Sequence, residues 1–537
     1  MSAPPRLDGG HLIVDGRPAL LLAGELHNSS SSTGRCMAPR WEGIVDAGCT
    51  TVLAPITWEQ FEPQEGRFDP TSIEELLVGA RTHKLRLVVL WFGSWKNGGS
   101  SYVPPWVKAD PDRFSTQHLG GAPSSVLSPF VEANAQADAT AFAQLMAYLH
   151  AHDPDHTVLM VQVENEVGSL GDSRDRSPAA EAAFAGPVPG ALLTHLADDT
   201  DGCAAEALVK VDASAGPAPT WEQAFGEGQA TDEVFMAWHL ASYIDRVAAA
   251  GRAQHDVPLY VNAWLIADGE GGADNVAGGK QPGMYPSGGP LPHVAAAWHA
   301  AAPHIDFLAP DIYSSDPDNW LRRYSIASPA VFVPELHRSH LGLQTIFLAI
   351  GAHHAIGTAP FGIDELQDDE RVHLRRAYRQ LAAIADDILD AQAARTIRGF
   401  VARPGERVQV ELGAYRLGIS PDRRFDGSDQ PPDVGYGLVL ALGPHEFLTA
   451  GHGFILSAQT SDGQPTVLHT VQELDLEPRT GRARDLPVLR WLNGDETLSG
   501  LGVRVTGETV TPWPSGIPAS PSITGVVRFS LVPAPAG

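Results

Sequence analysis

Eight short apolar runs alternate with amphipathic stretches between residues 10 and 395, and this alternation constrains the fold more than any other feature of the chain. The runs are Ala19 to Ala23, Thr51 to Ile56, Leu85 to Phe92, Thr157 to Val163, Pro258 to Ala263, Ile305 to Ala309, Ala330 to Val333 and His354 to Ala359. Stretches such as Ile73 to His83, Ala139 to His150, Asp232 to Gly251 and Gln344 to Gly351 carry helical periodicity between them. Strand-helix alternation implies a parallel sheet. Eight such units predict a (β/α)8 TIM barrel rather than an open doubly wound sheet, which would show a Gly-rich phosphate turn after its first strand.

His11 to Val14 and the Asp15-Gly16 turn predict an N-terminal hairpin leading into the first barrel strand. An aperiodic stretch rich in Gly, Pro, Ala and Asp, at about 170–231, reads as an insertion on the face where barrel loops are functional. One long helix, Asp368 to Ala394, closes the barrel. From Thr396 onward, strand-like runs with Gly and Pro turns (Arg407 to Leu412, Gly437 to Leu442, Phe454 to Ala458, Gly525 to Val532) predict an all-β, sandwich-like domain. The expected domains are therefore 1–395 and 396–537.

Composition narrows the function classes. With 537 residues, 43% hydrophobic, and no apolar run near membrane-spanning length, the chain reads as soluble and globular. Met1 to Arg6 has no apolar core of a secretory signal, and three scattered cysteines form no disulfide framework or metal-ligand pair, so a cytoplasmic location is expected. A formal charge of −27 opposes binding to nucleic acid or to an anionic membrane, whereas a neutral substrate is compatible.

Two of the runs lead into glutamates. Along Val161 to Glu166, alternation predicts that Gln162, Glu164 and Glu166 point into the barrel, with Glu166 nearest the mouth. In Val331 to Glu335, the residues Val331, Val333 and Glu335 share a face, and Pro334, lacking an N–H, should end the strand. Strand ends of a parallel barrel open on one face, so Glu166 and Glu335 can meet across one pocket as paired carboxylates. His150, His152 and His156 lack a matching carboxylate set, and no metal or other cofactor is expected.

Several motifs, in order and spacing, resemble the β-galactosidases of glycoside hydrolase family 35: Gly24-Glu25-Leu26-His27, Trp41, Ala47 to Val52, Trp58 to Pro63 with Gly66 and Phe68, Asn165-Glu166, and Glu335. A bacterial branch of that family is suggested by Trp91 to Gly98, Asn262-Ala263-Trp264, Pro310 to Tyr313 and Pro360 to Asp364, while Trp58 to Gly66 also resembles family 42. The resemblance implies a retaining exo-β-glycosidase that releases terminal β-linked galactose. It implies Glu166 as acid/base, Glu335 as nucleophile, Asn165 on the sugar 2-hydroxyl and Tyr313 hydrogen-bonded to the nucleophile. Trp95 and Trp264 suit either sugar stacking or the packing of the barrel core, and Glu25, Trp58, Lys96 and Asn97 complete the expected binding set.

Two positions depart from the family pattern: Ser94 stands where a glutamate is expected and Pro55 where a tyrosine is expected, both of which would help to hold galactose. The groups that set sugar specificity therefore differ. Arg174, Asp175 and Arg176 are candidates to replace them, or a solvated charge cluster. The same machinery on a glucoside, fucoside or arabinoside, or a non-catalytic carbohydrate-binding protein, are the alternatives. Carbohydrate is the expected partner, and homo-oligomerisation is left open.

Overall fold

The eight apolar runs fold as parallel strands of one closed barrel: β1 Leu21–Glu25, β2 Thr51–Thr57, β3 Arg86–Phe92, β4 Val158–Val163, β5 Leu259–Trp264, β6 Phe307–Ile312, β7 Phe332–Leu336 and β8 Gly357–Pro360. The computed structural model describes residues 3–198, 203, 206–212, 214, 216–267, 279–422, 433–477, 480–507 and 520–534. Every barrel strand except β5 is wholly buried or has only its first residue partly exposed, as expected when helices cover the outer face. The interior is filled by alternate residues, among them Leu21 and Ala23 on β1, Val88, Leu90 and Phe92 on β3, Tyr260 on β5, and Phe307 and Ala309 on β6. Leu12, from a three-stranded antiparallel sheet at Arg6–Asp8, His11–Val14 and Arg17–Ala19, joins this cluster. The expected N-terminal hairpin is thus one strand larger, and the first barrel strand begins two residues later than its apolar run.

Two long helices, α1 Glu132–His152 and α2 Gln229–Arg252, pack closely beside each other. Gly251 permits the approach, since a Cβ there would lie 2.2 Å from the Phe142 ring. The expected insertion contains helices Pro178–Phe184, Gly190–Asp198 and Trp221–Phe225. Part of it, 199–202, 204, 205, 213 and 215, lies outside the described residues. Among the described residues no helix is long and apolar enough to cross a membrane.

The chain divides into two compact units, 1–45 with 49–337 and 356–366, and 46–48 with 338–355 and 367–537. Residues 367–395, which the sequence pattern groups with the barrel, cluster with the β-rich region. The single long helix expected there is two, Asp368–Ala383 and Ala385–Ala393, broken at Ile384. The second unit holds a six-stranded antiparallel sheet and a four-stranded one. Phe400, Val439, Val471 and Phe529 of the first meet Leu417, Phe454, Leu456 and Val505 of the second in one core, which makes a sandwich.

Candidate active site

Period-2 alternation, continued past the apolar core, brings polar side chains to the barrel mouth. On β5 the inward series is Tyr260, Asn262, Trp264, and on β6 it is Phe307, Ala309, Asp311, Tyr313. Trp264 is in register with Asp311, and Asp311 with Glu335, so three neighbouring strands present one row. β7 needs an adjustment to join it. Alternation from the core residue Phe332 would turn Pro334 inward, but the register shifts between Val333 and Leu336, which brings Glu335 to the inner face instead. Pro334 therefore does not end the strand as expected; at the irregularity its missing N–H is not required for the ladder.

β4 stops at Val163 and the next residues turn. Glu164 has φ 65° and Glu166 φ 47°, left-handed conformations uncommon outside glycine. The Glu166 N–H donates to Asn262 Oδ1 (3.0 Å) and its carbonyl accepts from Gly98 N–H (3.1 Å). One carboxyl oxygen from each of Glu166, Asp311 and Glu335 lies within 4.8 Å of the others. Tyr313 donates its hydroxyl to Glu335 Oε2 (3.0 Å), and Asn165 Nδ2 stands 3.5 Å from Glu335 Oε1.

These groups border a cavity of about 220 Å³, whose walls include Asn28, Lys96, Asn97, Trp264, Ile266, Tyr313 and Phe361. That is below the roughly 300–1,000 Å³ of common small-molecule pockets, room for about one sugar ring. Among the described residues Asn28 Oδ1 and Trp264 Nε1 are buried polar atoms without a hydrogen-bond partner, suited to meeting substrate hydroxyls. Burial, then the Glu335 charge, pushes Glu166 up to about 8 despite Lys96. Burial, followed by the same neighbours, also raises Asp311 and Glu25 well above the usual carboxyl range. Lys96, itself 7% exposed, is raised although burial opposes its charge, because Glu335, Glu166, Glu25 and Asp311 surround it. Its ammonium also lies 5.0 Å above the Phe92 ring. The oxygens of Glu166, Asp311 and Glu335 have the spacing of a cation site, which the neighbouring Lys96 charge opposes.

Of the residues expected from sequence, Glu166, Glu335, Tyr313, Lys96, Asn97 and Trp264 border the cavity, and Asn165 and Glu25 stand just behind it. Trp58 does not: it is fully buried, with its indole N–H donated to Glu62 Oε2 (2.8 Å). Trp95 is also buried off the cavity, edge-on to Tyr243, so it is core rather than a stacking platform. Glu164 does not point into the barrel, because the backbone turn at that residue ends the alternation. Its carboxylate instead accepts the Trp95 N–H (2.6 Å) beside Asp138. Gly93 makes room, since a Cβ there would lie 2.4 Å from Glu164 Oε1. Ser94 is turned the same way, donating to Asp138 Oδ2 (2.6 Å). Arg174 and Arg176 are tied to Asp232, with Glu181 and Asp172 as further partners, and Asp175 accepts from Ser128 and two backbone N–H groups. They brace the insertion and read no sugar in this cavity.

Asp311, Asn262, Asn28 and Phe361 lay in recognised motifs or beside them without a role. The signal for the first two was the inward series itself; Asp311 was hidden because its apolar run stops at Ala309 while the strand runs on to Ile312, and Asn262, inside its run, was read only as part of a motif. Asp364 in the last motif fixes the loop after β1, accepting from His27 N–H (3.0 Å), Ser30 Oγ (2.5 Å) and Arg40 Nε (3.2 Å), and Asn28 is carried on that loop.

Residues 374–504 match the model of a domain of unknown function, DUF5597. No curated protein matches the chain. Among solved structures it is similar to the catalytic domain of β-amylase from Paenibacillus polymyxa, at 12% identity and a TM-score of 0.44, covering 65% of this chain and 94% of that one. It is also similar to the β-galactosidase of the psychrophilic Marinomonas ef1, at 10% identity and a TM-score of 0.46, over 69% of this chain and 61% of that one. A third similarity is to the β-galactosidase of Bacillus circulans sp. alkalophilus, at 14% identity and a TM-score of 0.47, over 69% and 57% respectively.

Proposed function

We propose that this chain is a retaining exo-β-glycosidase, with terminal β-linked galactose as its sugar. The observation that carries the reading is the approach of Glu166 and Glu335, one carboxyl oxygen of each within 4.8 Å of the other's, both lining one cavity. Retaining enzymes hold their two carboxyl groups about 5–5.5 Å apart, whereas inverting ones leave about 6.5–9.5 Å for a water. Glu335, oriented by Tyr313 and Asn165, attacks the anomeric carbon as the bond to the leaving oxygen breaks. Glu166 gives its proton to that oxygen, then takes one from the water that releases the sugar. A group held up to about 8 is protonated at neutral pH, as the first step needs.

The small cavity favours removal of one terminal sugar. Galactose rests on the family 35 resemblance, with Asn28, Lys96, Asn97 and Trp264 as the hydroxyl-reading groups in place of the position occupied by Ser94.

The test combines stereochemistry with azide rescue, both followed through the anomeric proton by NMR. Wild type should release the β-anomer first. Glu166→Ala with azide and an activated aryl galactoside should give the β-azide, and Glu335→Ala the α-azide. An initial α-product, or the two azide outcomes exchanged, overturns the roles. A panel of aryl β-glycosides checks the sugar: hundredfold preference for a glucoside, fucoside or arabinoside would replace galactose and leave the mechanism standing.

A further inference from the structure

The cavity holds one carboxyl more than a two-carboxylate mechanism uses. Asp311 is 3% exposed, in register with Glu335 on one side and Trp264 on the other. Its Oδ2 accepts from Asn262 Nδ2 (2.7 Å), and the same Asn262 accepts the Glu166 N–H through Oδ1 (3.0 Å). One amide thus fixes the carboxyl of Asp311 and the backbone of Glu166 together. Among the described residues the remaining oxygen of Asp311, Oδ1, is buried without a donor, and so is Glu166 Oε2, while a carboxyl oxygen of each acid lies within 4.8 Å of the other's. Two buried acceptors on neighbouring acids are costly while both acids are ionised. One proton satisfies both.

We propose that Asp311 works as a neutral acid whose hydroxyl donates to Glu166 Oε2, a positioning residue that confines the transferable proton of Glu166 to Oε1, the oxygen left for the substrate. The proposal rests on the reading of Glu166 as acid/base. The bond persists through the cycle: Oε2 accepts it as the carbonyl oxygen of protonated Glu166 and as part of the carboxylate after proton transfer. Among the described residues the acids around Asp311 are Glu25, Glu166 and Glu335, Lys96 is the cation they share, and Tyr260, Tyr313 and Tyr324 are weak acids. Burial and those carboxyls raise Asp311 well above the usual carboxyl range.

Asparagine can imitate a neutral aspartic acid here, giving an N–H to Glu166 and an oxygen to Asn262, while alanine cannot. Asp311→Asn should therefore keep kcat within about tenfold on aryl glycosides of any leaving group. Asp311→Ala should lose about a hundredfold on poor leaving groups, which need the proton, and little on strongly activated ones. The alkaline limb of kcat/KM should move up in the alanine variant, because the Glu166 carboxylate has lost a donor, and stay in place for asparagine. A downward move in both variants would show that Asp311 was ionised and overturn the proposal, as would a loss independent of the leaving group. Infrared difference spectra at neutral pH give a readout that needs no turnover: the Asn variant should lose one protonated-carboxyl band. If no glycoside is cleaved, the acid/base reading fails, while the band still decides the state of Asp311.

Discussion

Glu164 and Glu166 stand two residues apart on one turn, both in left-handed backbone, both buried, and both pushed up by burial and a neighbouring carboxyl. They differ in what lies in front of them. Glu164 faces a cluster in which Asp138 accepts from Trp91 (2.9 Å), Ser94 (2.6 Å) and Tyr243 (3.1 Å), and it does not line the cavity that Glu166 borders. Glu166 faces Asp311, Glu335 and open space. A perturbed, buried carboxyl is thus equally the mark of a structural network and of a reactive group, and access separates them.

The sharpest test of that contrast is to neutralise each acid in turn. Glu335→Ala should lower turnover by on the order of 10^4 or more, as expected when the attacking group is removed. Glu166→Gln should cost about 10^2–10^4 on substrates with poor leaving groups. Glu164→Gln, which keeps the shape of the side chain and an oxygen for the Trp95 N–H, should leave turnover within about tenfold; a loss comparable to that of Glu166→Gln would erase the distinction.

Next in size is an effect on stability. Asp138→Ala should orphan the Trp91, Ser94 and Tyr243 donors and cost several kcal/mol, at about 1–3 kcal/mol for each buried unsatisfied group. Denaturant unfolding measures it, and the folded fraction should retain its turnover. The two tryptophans repeat the contrast on a smaller scale. Trp264→Ala should raise KM by roughly fivefold, about 1 kcal/mol of lost ring contact, whereas Trp95→Phe should change stability and leave KM in place. The smallest effect concerns the loop after β1. Although burial opposes it, hydrogen bonds from Ser30 and the His27 N–H hold Asp364 below the usual carboxyl range. Its folded form is therefore stabilised above the ordinary aspartate pKa, and that contribution is lost as pH falls through the depressed value. Amide exchange at residues 27–32 should quicken in acid, and Asp364→Asn should quicken it already at neutral pH.

Much of this was legible before any coordinates. The barrel, its eight strands, the β-sandwich and the meeting of Glu166 with Glu335 follow from local periodicity and from the rule that parallel strands share one open end, while the contact of Tyr313 with Glu335 followed from the family resemblance. Less legible was anything that depended on where a strand stops. The apolar run of β6 ends at Ala309, which left Asp311 without a role; strict alternation sent Glu164 inward, and the missing N–H of Pro334 was expected to end β7. Trp58, in a family motif, was placed in the binding set although it is core, and of the two roles open to Trp95 the packing gives it the core one.

By itself, then, the sequence determined the periodicities and the chemical types at the strand ends, because those are properties of neighbours along the chain. Tertiary structure decided which side of the barrel wall each polar group faces. A left-handed turn at Glu164, a register shift at Pro334 and the room left by Gly93 are each set by contacts with segments distant in sequence. A one-residue change of phase moves a carboxyl from a closed network to an open cavity, and only the packing of the whole barrel fixes that phase.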